Sequence, residues 1–362
     1  MRGKTMATNV IIVGEMHNDL FYECDAYKQI EEALITFITS NKDAIAEMDD
    51  EGIHREVHRV LNGLPKKIPG KSYIKRGGNG NNSSELFARL GVPIKLMTVV
   101  GRGAGWMIQE MDDLGVDTSC IFQLEETTPI STIIEDPTTT KIFTAANLKA
   151  KMNFSSITLD ASYFQDSSIV FFTPLAPKFT PILEILQSSR ITGMTAVTIE
   201  RQATPNWKAF MSIMEGVKVD LLFINDRDAL YLTGKEDVGA ADEILKEYSA
   251  MRVYTLGSKG SLIKSEWTRD VALPVYDVPV VDRTGAGDAF AAGVLLKIHE
   301  IMQENGHLVE EMETTAESRI LEIFREIATF GTAVASLKVS LARTPSSDEV
   351  REFISKHGIL DG

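Results

Sequence analysis

The sequence predicts an α/β fold in which helices cover both faces of a mostly parallel sheet. Two observations lead to this prediction. Short apolar runs of β-type residues recur along almost the whole chain, and amphipathic stretches with helical periodicity lie between them. Strands that alternate with helices are typical of parallel sheets, because each parallel crossover needs a connection about as long as a helix.

The individual elements follow from the apolar runs and their spacing. Strands are predicted at 10–13, 95–100, 168–172, 194–199, 221–224, 252–256 and 261–264. Helices are predicted at 181–188, 207–215, 239–249 and 318–339. A β-hairpin is predicted from two β-type runs, at 129–135 and 140–144, on either side of Pro137. The sequence shows no internal repeat and no low-complexity segment.

Composition narrows the class of protein. Of 362 residues, 44% are hydrophobic and 24% are charged, which is typical of a soluble globular chain. Its apolar runs are shorter than the roughly 20 residues that span a bilayer. The net charge of −14 disfavours nonspecific binding to nucleic acid. The two cysteines, Cys24 and Cys120, indicate neither a disulfide framework nor a zinc site. We therefore expect a cytoplasmic protein with a small-molecule partner.

The most informative segment is Asp-Arg-Thr-Gly-Ala-Gly-Asp-Ala-Phe-Ala-Ala-Gly at residues 282–293. It follows a β-type run at 278–281 and opens into a stretch that predicts a helix through about His299. A strand, a glycine turn and a helix start direct backbone N–H groups at one point with the helix dipole behind them, which suits an anion. The donors are those of Gly285, Ala286 and Gly287. An ordinary connection between a strand and a helix is the alternative.

Asp288 lies on the first turn of this predicted helix, beside the anion site. A carboxylate next to a phosphate is electrostatically unfavourable, and taking a proton from an attacking hydroxyl is a role that would account for it.

This segment resembles the C-terminal signature of the ribokinase-like (pfkB) carbohydrate and nucleoside kinases, and three further segments resemble that family in the same order. The resemblance implies a ribokinase-like three-layer sandwich with a small lid. It also implies an ATP- and Mg²⁺-dependent kinase with Asp288 as general base. We treat residues 1–362 as one domain, with lid elements at about 20–76 and at 128–146.

Two segments carry the implied substrate residues. The run Gly-Gly-Asn-Gly-Asn-Asn at 77–82 resembles the N-terminal signature, and Asp19 follows the first predicted strand. The resemblance implies that Asp19, Gly78 and Asn82 bind hydroxyls of a small polyhydroxylated substrate. Asn147, at the end of the hairpin, takes the position where the family often carries an asparagine. We expect a sugar. A nucleoside is the alternative, and a ligand-binding protein without catalysis is a third reading, against which Asp288 argues.

The implied nucleotide site comes from two strand ends. Residues 221–228 resemble the family's strand ending in Asn-x-x-Glu, with Asn225 in place and Asp228 where glutamate is usual. The resemblance implies that Asp228 reaches Mg²⁺ through water. Residues 253–262 resemble the turn that borders the nucleotide, and Arg283 adds positive potential for ATP. The remaining residues implied to contact the nucleotide are Thr255, Gly257, Ser258 and Gly260.

Family members that potassium activates bind the ion through an aspartate and a later glycine-rich loop. Asp282 stands at the position of that aspartate, but the segment 341–345 lacks the glycine. Asp282 is thus the one residue here that the resemblance assigns to a monovalent cation, and potassium dependence is not expected.

The segment between Phe21 and Arg76 departs most from the family, which usually has a short pair of lid strands here. In this chain, residues 26–40 and 42–61 have helical periodicity, with apolar residues such as Ile30 and Leu34 on one face. We expect these helices to replace the lid strands as a helical cap and to contribute to a homodimer interface. Packing against their own domain is the alternative.

Overall fold

A computed structural model describes residues 9–137, 139–165, 167–189, 193–306 and 308–360 of the chain. The chain divides into two compact units. The first comprises the residues up to Met16, Gly78–Thr127 and the residues from Ala150 onward, and the second comprises His17–Gly77 and Thr128–Lys149. The predicted lid elements fall within the second unit.

The strands, in chain order, are β1 Asn9–Gly14, β2 His17–Glu23, β3 Lys71–Gly77, β4 Ile94–Arg102, β5 Ile121–Thr127, β6 Ile130–Glu135, β7 Thr140–Thr144, β8 Ser167–Thr173, β9 Met194–Ile199, β10 Val219–Asn225, β11 Ser249–Thr255, β12 Ser261–Ser265 and β13 Val271–Leu273. The helices are α1 Ala26–Ser40, α2 Lys42–Ala46, α3 Asp50–Asn62, α4 Asn79–Arg89, α5 Gly105–Asp113, α6 Ala146–Lys151, α7 Thr180–Ser188, α8 Trp207–Met214, α9 Asp226–Thr233, α10 Val238–Leu245, α11 Ala286–Asn305, α12 Leu308–Met312, α13 Glu317–Leu341 and α14 Ser347–His357. Short 3₁₀ turns lie at Ala161–Phe164, Pro177–Phe179 and Gly257–Lys259.

The first unit is built on a nine-stranded sheet in the order β13-β12-β11-β10-β9-β8-β1-β4-β5. Every neighbouring pair from β5 to β11 is parallel, and β12 and β13 are antiparallel additions at one edge. The predicted, mostly parallel sheet is confirmed. Each of the seven predicted strands of this sheet is present, whereas β5 and β13 were not foreseen from the apolar pattern.

Both faces of this sheet are buried, as the continuous apolar runs require. Along β1, Val10 and Ile12 join one hydrophobic cluster, whereas Ile11 and Val13 join the other. Successive side chains of a strand point to opposite faces, so a strand buried on both sides shows no polar alternation. The first cluster includes residues of α4, α5, α11 and α13, and the second includes residues of α7, α8, α9 and α10. Three layers result.

The helices α11 and α13 approach each other at a pair of glycines. A Cβ atom on Gly293 would lie 2.8 Å from the Cα of Gly331, so a larger residue at either position would force the helices apart. Both glycines lie well inside their helices, where glycine is otherwise unfavourable by about 1 kcal/mol relative to alanine. The contact therefore sets the spacing of these two helices.

The run Val278–Val281 is not a strand, which corrects one sequence expectation. Pro279 has no N–H to give to a neighbouring strand. The N–H groups of Val281 and Asp282 both donate to the carbonyl of Val339, at 3.1 and 3.0 Å. One carbonyl in the last turn of α13 thus takes the place of a strand partner.

The second unit contains a four-stranded sheet in the order β3-β2-β6-β7. The predicted hairpin is present, with Ser131 opposite Thr144 and Glu135 opposite Thr140. The helices α1, α2 and α3 are inserted between β2 and β3, which pair with each other in antiparallel register. The expectation that the helices replace the lid strands is therefore wrong. The β-type character of these two strands is weak in the sequence because charged and polar residues occupy much of both.

Among the residues that the structure describes, none of the helices combines the length and the apolar character that crossing a bilayer requires.

Candidate active site

The parallel register places the ends of three neighbouring strands of the first unit side by side. Ile199, at the end of β9, pairs with Ile224 of β10, and Asn225 pairs with Thr255 at the end of β11. Glu200 follows Ile199 directly, so it leaves the sheet beside Asn225. Ligands of open α/β sheets bind at such carboxyl ends. The predicted residues Asn225 and Thr255 therefore share one edge.

Asn225 and Asp228 hold each other in place. The Asn225 side chain caps α9 by accepting from the Asp228 N–H at 2.8 Å, and its Nδ2 donates to Asp228 Oδ2 at 2.9 Å. The same carboxylate oxygen accepts the N–H of Arg201 at 3.2 Å. Because Asp228 is shorter than glutamate by one methylene, its carboxylate stays on the first turn of its own helix. Asn225 thus orients Asp228 as well as capping the helix.

The signature turn leads into α11 as the sequence predicts. Gly285 is the N-cap residue with φ +72°, a left-handed conformation that favours glycine. The Ala286 N–H donates to the Arg283 carbonyl at 3.2 Å, so this predicted donor already has an acceptor. A Cβ on Gly287 would meet nothing within 4 Å. Within the described part of the chain, the N–H groups of Gly285 and Gly287 have no backbone acceptor and remain available to an anion.

Asp288 lies on the first turn of α11 and is half-buried. Burial raises the pKa of its carboxyl, and the nearby Lys338 ammonium acts in the opposite direction. Asp282 accepts the N–H of Thr284 at 2.9 Å. That hydrogen bond lowers the pKa of Asp282, with a smaller contribution from Lys338. One lysine therefore acts on both aspartates of the signature.

Glu200 is a further carboxylate of this region. Burial is the main reason that its pKa is raised from 4.5 to about 7, and the charges of Asp288 and Asp228 raise it further. Its two oxygens accept the Asn79 Nδ2 at 3.2 and 3.3 Å, which favours the ionised form. Since the charges of Asp288 and Asp228 both act on Glu200, these three carboxylates form one electrostatic cluster.

The turn after β11 contains the other residues that were implied to contact the nucleotide. Gly257 and Ser258 form an exposed 3₁₀ turn, and a Cβ on Gly257 would meet nothing within 4 Å. Gly260 is buried, and a Cβ there would lie 1.9 Å from the Leu273 carbonyl oxygen. The glycine at 260 is thus required by the neighbouring β13 strand. Arg283 is exposed, and its carbonyl closes the signature turn.

Two predicted substrate residues lie in the first unit, at the start of α4. Gly78 is the N-cap residue with φ +93°, and its carbonyl accepts the Asn82 N–H at 3.0 Å. The Asn82 side chain is exposed, and its Oδ1 accepts from Asn81 Nδ2 at 2.9 Å. Asn81 thereby orients the amide of Asn82.

Asp19 lies on β2 in the second unit. It stands opposite Lys75 of β3 and Ser131 of β6 in the sheet register, and His17 Nε2 is 3.3 Å from its Oδ1. A Cβ on Gly77 would lie 2.0 Å from Asp19 Oδ2, so any side chain at 77 would displace the carboxylate from this position. Glycine at 77 therefore leaves the space that the Asp19 carboxylate occupies. Asn147, in α6, is exposed.

An aromatic pair lies near Asp19 on the same face of the lid sheet. Phe21 is two residues further along β2 and therefore points to the same side. It stacks on Tyr73, with ring centroids 5.0 Å apart and an interplanar angle of 8°. The ammonium of Lys75 lies 5.0 Å and 4.9 Å from the two ring centroids. This face thus combines a carboxylate, an ammonium and a flat apolar surface.

Sequence reasoning missed Glu200, Asn79 and Lys338. Glu200 could have been found, because it follows a predicted strand in the same way that Asn225 does. Asn79 belongs to the Gly-Gly motif, but nothing local indicates its carboxylate partner. Lys338 is part of an ordinary amphipathic pattern near the end of a predicted helix, so only helix packing reveals it.

The raised pKa of Glu200 predicts a pH-dependent stability. Below pH 4.5 Glu200 is protonated in both the unfolded and the folded chain, whereas above about pH 7 the folded protein carries a disfavoured charge. The Glu200→Gln variant, which can still accept from Asn79, should therefore be more stable than wild type by about 2–3 kcal/mol at pH 8. The difference should disappear near pH 4.

Urea unfolding at both pH values measures this effect, with Glu184→Gln, on the exposed side of α7, as the matched control. An equal stability change at pH 4 and pH 8 would show that Glu200 does not carry the raised pKa.

The chain is similar in sequence to several known proteins. A cytidine kinase from Thermococcus kodakarensis is 33% identical over 135 residues, which cover 36% of this chain and 48% of that protein. The chain thus matches about half the length of that relative. A ribokinase from Lactococcus lactis is 26% identical over 219 residues, covering 59% of this chain and 69% of that protein.

Among solved structures, ribokinase from Giardia lamblia superposes with a TM-score of 0.69 at 16% identity, over 95% of this chain and 99% of that one. The fold is therefore ribokinase-like. The model of the pfkB family carbohydrate kinases matches residues 73–349. Since that range is well over half of the chain and includes the signature turn, the protein belongs to the pfkB family of carbohydrate kinases.

Proposed function

We propose that the protein transfers the γ-phosphoryl group of ATP to a hydroxymethyl group of a small sugar, with Asp288 as general base. One observation carries the proposal: at the start of α11, a half-buried carboxylate lies beside two N–H groups that have no backbone acceptor among the described residues. A base and an anion site in one turn can act on the two reactants of a phosphoryl transfer.

Asp288 would take the proton of the acceptor hydroxyl as the hydroxyl oxygen attacks the γ-phosphorus of ATP, and the bond from that phosphorus to the bridging oxygen would break to release ADP. Burial raises the pKa of this carboxyl, which makes it a stronger base than an exposed aspartate, and Lys338 opposes the rise. A general base works best when its pKa approaches the working pH while the ionised form is still populated. Burial raises the pKa of Asp288 and Lys338 lowers it, and this combination suits a base that must be both strong and ionised.

The N–H groups of Gly285 and Gly287 would bind the oxygens of the transferring phosphoryl group. They are fixed before the reaction begins, and the positive end of the α11 dipole lies behind them. Donors of this kind stabilise the charge that develops in the transition state without reorganising. The nucleotide would contact the other residues that the resemblance implies, namely Asn225, Thr255, Gly257, Ser258, Gly260 and Arg283.

The residues present fit Mg²⁺ as a partner of ATP. Mg²⁺ usually keeps several waters and binds one or two carboxylates together with substrate phosphates. Among the described residues, no group of three histidine, cysteine or acidic side chains could hold a metal by itself. Asp228 would therefore hold the ion through water, and the phosphates would supply direct ligands. When bound, Mg²⁺ neutralises phosphate charge.

The acceptor would be oriented by Asp19, Gly78, Asn82 and Asn147. A carboxylate that accepts from two neighbouring hydroxyls forms charge-assisted hydrogen bonds, which are stronger than neutral ones. The close fit of Asp19 against Gly77 supports this role, because the motif preserves space for the carboxylate at the expense of any side chain at 77.

A nucleoside kinase is the second candidate. The stacked Phe21–Tyr73 pair on the Asp19 face offers a flat surface to a base, and the cytidine kinase relative is a nucleoside kinase by name. ATP turnover against a panel of pentoses, hexoses, sugar acids and nucleosides distinguishes the two. The nucleoside candidate would replace the sugar proposal if the wild-type protein prefers nucleosides and if Phe21→Ala loses activity on nucleosides while it keeps activity on free pentoses.

We also propose a homodimer formed through the second unit. Large apolar side chains are exposed there, including Ile35 and Ile38 of α1 and Ile142 and Phe143 of β7, each more than half exposed. Exposed apolar area costs roughly 25 cal/mol per Å². Mass measurement in solution tests the proposal: a dimer is expected for wild type, and a monomer at all micromolar concentrations would contradict it.

The Asp288→Asn variant should lose phosphoryl transfer while it keeps ATP binding. Asparagine preserves the shape but cannot accept the proton, and loss of a general base lowers kcat by about 10²–10⁴-fold. Steady-state kinetics and calorimetry with ATP measure the two effects. If Asp288→Asn keeps more than about a tenth of the wild-type kcat, Asp288 is not the base.

Two variants of the lid sheet should impair acceptor binding in the same way. Asp19→Ala removes the carboxylate, and Gly77→Ala displaces it, because the added Cβ would overlap Asp19 Oδ2. Each should raise KM for the acceptor by about tenfold or more while KM for ATP changes little, since a lost charged hydrogen bond costs roughly 1.5–3 kcal/mol. Equal effects on both KM values would show that Asp19 does not bind the acceptor specifically.

A further inference from the structure

Lys338 is placed at the signature turn by its own helix. It lies in the last turn of α13, immediately before Val339, whose carbonyl accepts the N–H of Asp282 at 3.0 Å. Lys338 Cε and Asp288 Oδ2 each lie 3.9 Å from the point that a Cβ on Gly285 would occupy. The ammonium therefore belongs to the same small region as both aspartates of the signature.

Helix packing keeps Lys338 in this position. The contact between Gly293 and Gly331 joins α11 to α13, and Lys338 follows Gly331 by about two helical turns, which returns it to nearly the same face. The side chain is half-buried, so it does not move freely in solvent. The lysine thus reaches the N-terminal end of α11 because the two helices are in close contact further along.

Both aspartates respond to this ammonium. The pKa of Asp288 is raised by burial, and Lys338 is the charge that opposes the rise. The pKa of Asp282 is lowered first by the hydrogen bond from Thr284 and then further by Lys338. No other residue affects both carboxylates in this way among those that the structure describes.

We propose that the Lys338 ammonium is the permanent cation of the signature turn, so that phosphoryl transfer by this protein needs no monovalent metal ion. The resemblance implied a cation position at Asp282, but the residues here do not fit one. A metal cation beside Asp282 would face the lysine ammonium, and like charges repel. The inference rests on the proposed role of Asp288.

In this arrangement Lys338 is a positioning residue that acts through the two aspartates. Its charge opposes the effect of burial on the pKa of Asp288 and also lowers the pKa of Asp282 at the start of the turn. A tethered ammonium is present in every molecule, whereas a bound ion depends on its concentration. The turn is therefore organised before ATP binds.

The salt dependence of the wild-type protein is the first test. Initial rates are measured at one ionic strength in potassium chloride, sodium chloride and tetramethylammonium chloride, because the last cation is too large for a small oxygen-lined site. The rates should agree within about threefold, since no ion enters the turn. Stimulation by potassium beyond that limit would overturn the proposal.

Variants at position 338 form the second test. Lys338→Met keeps the length without the charge and should lower kcat at least about tenfold in tetramethylammonium chloride, as expected for a lost electrostatic contribution. Lys338→Arg, which keeps the positive charge, should retain most of the wild-type kcat. Lys297→Met is the control, because Lys297 is a half-buried lysine of α11 that pairs with Glu300 and Glu326. A Lys338→Met protein with the kcat of wild type would overturn the proposal.

Thermal unfolding provides a readout that does not depend on the acceptor. The wild-type Tm should be the same in potassium and tetramethylammonium chloride, whereas the Tm of Lys338→Ala should be higher in potassium chloride, because the truncation opens a cation-sized space beside Asp282. A potassium-specific rise in the wild-type Tm would contradict the proposal. The proposed function has a separate test: it is contradicted if Asp288→Asn transfers phosphate as fast as wild type does, whatever the results for Lys338.

Discussion

Parallel strand pairing is the constraint on which the candidate site of this protein depends. Because β9, β10 and β11 run in the same direction, their carboxyl ends must meet at one edge of the sheet, and the residues that follow them meet there as well. Glu200, Asn225 and Thr255 are far apart in the sequence but share this edge. Their contacts are a consequence of register, since Ile199 pairs with Ile224 and Asn225 with Thr255.

Three carboxylates in one region would be unstable without opposing interactions. Asn79 donates to Glu200, Asn225 and the Arg201 N–H donate to Asp228, and Lys338 acts on Asp288. Burial still raises the pKa of Glu200 and of Asp288 above the ordinary values. Perturbed carboxylates of this kind cluster at functional sites, because a catalytic base needs a pKa different from that of a solvated side chain. The carboxylate cluster therefore fits the proposed active site.

In the second unit, strand pairing and a glycine constrain the position of one side chain, Asp19. Its sheet is small, and much of its surface is exposed, yet the space around Asp19 is tightly specified by Gly77 and by the register with Lys75 and Ser131. The helices between β2 and β3 leave that pairing intact. An insertion at a strand connection costs little, because the entropy of a longer connection grows only slowly with its length.

By itself the sequence determined the strand and helix alternation, the mostly parallel sheet, the family and the signature turn with Asp288. Each of these depends on local patterns: apolar periodicity, glycines at a helix start, and a motif of adjacent residues. It did not reveal the lid strands β2 and β3, whose polar residues hide their periodicity, or the roles of Glu200 and Lys338. The tertiary structure decided those, because a pKa and the interaction between two charges depend on burial and on distances between residues that only folding brings together.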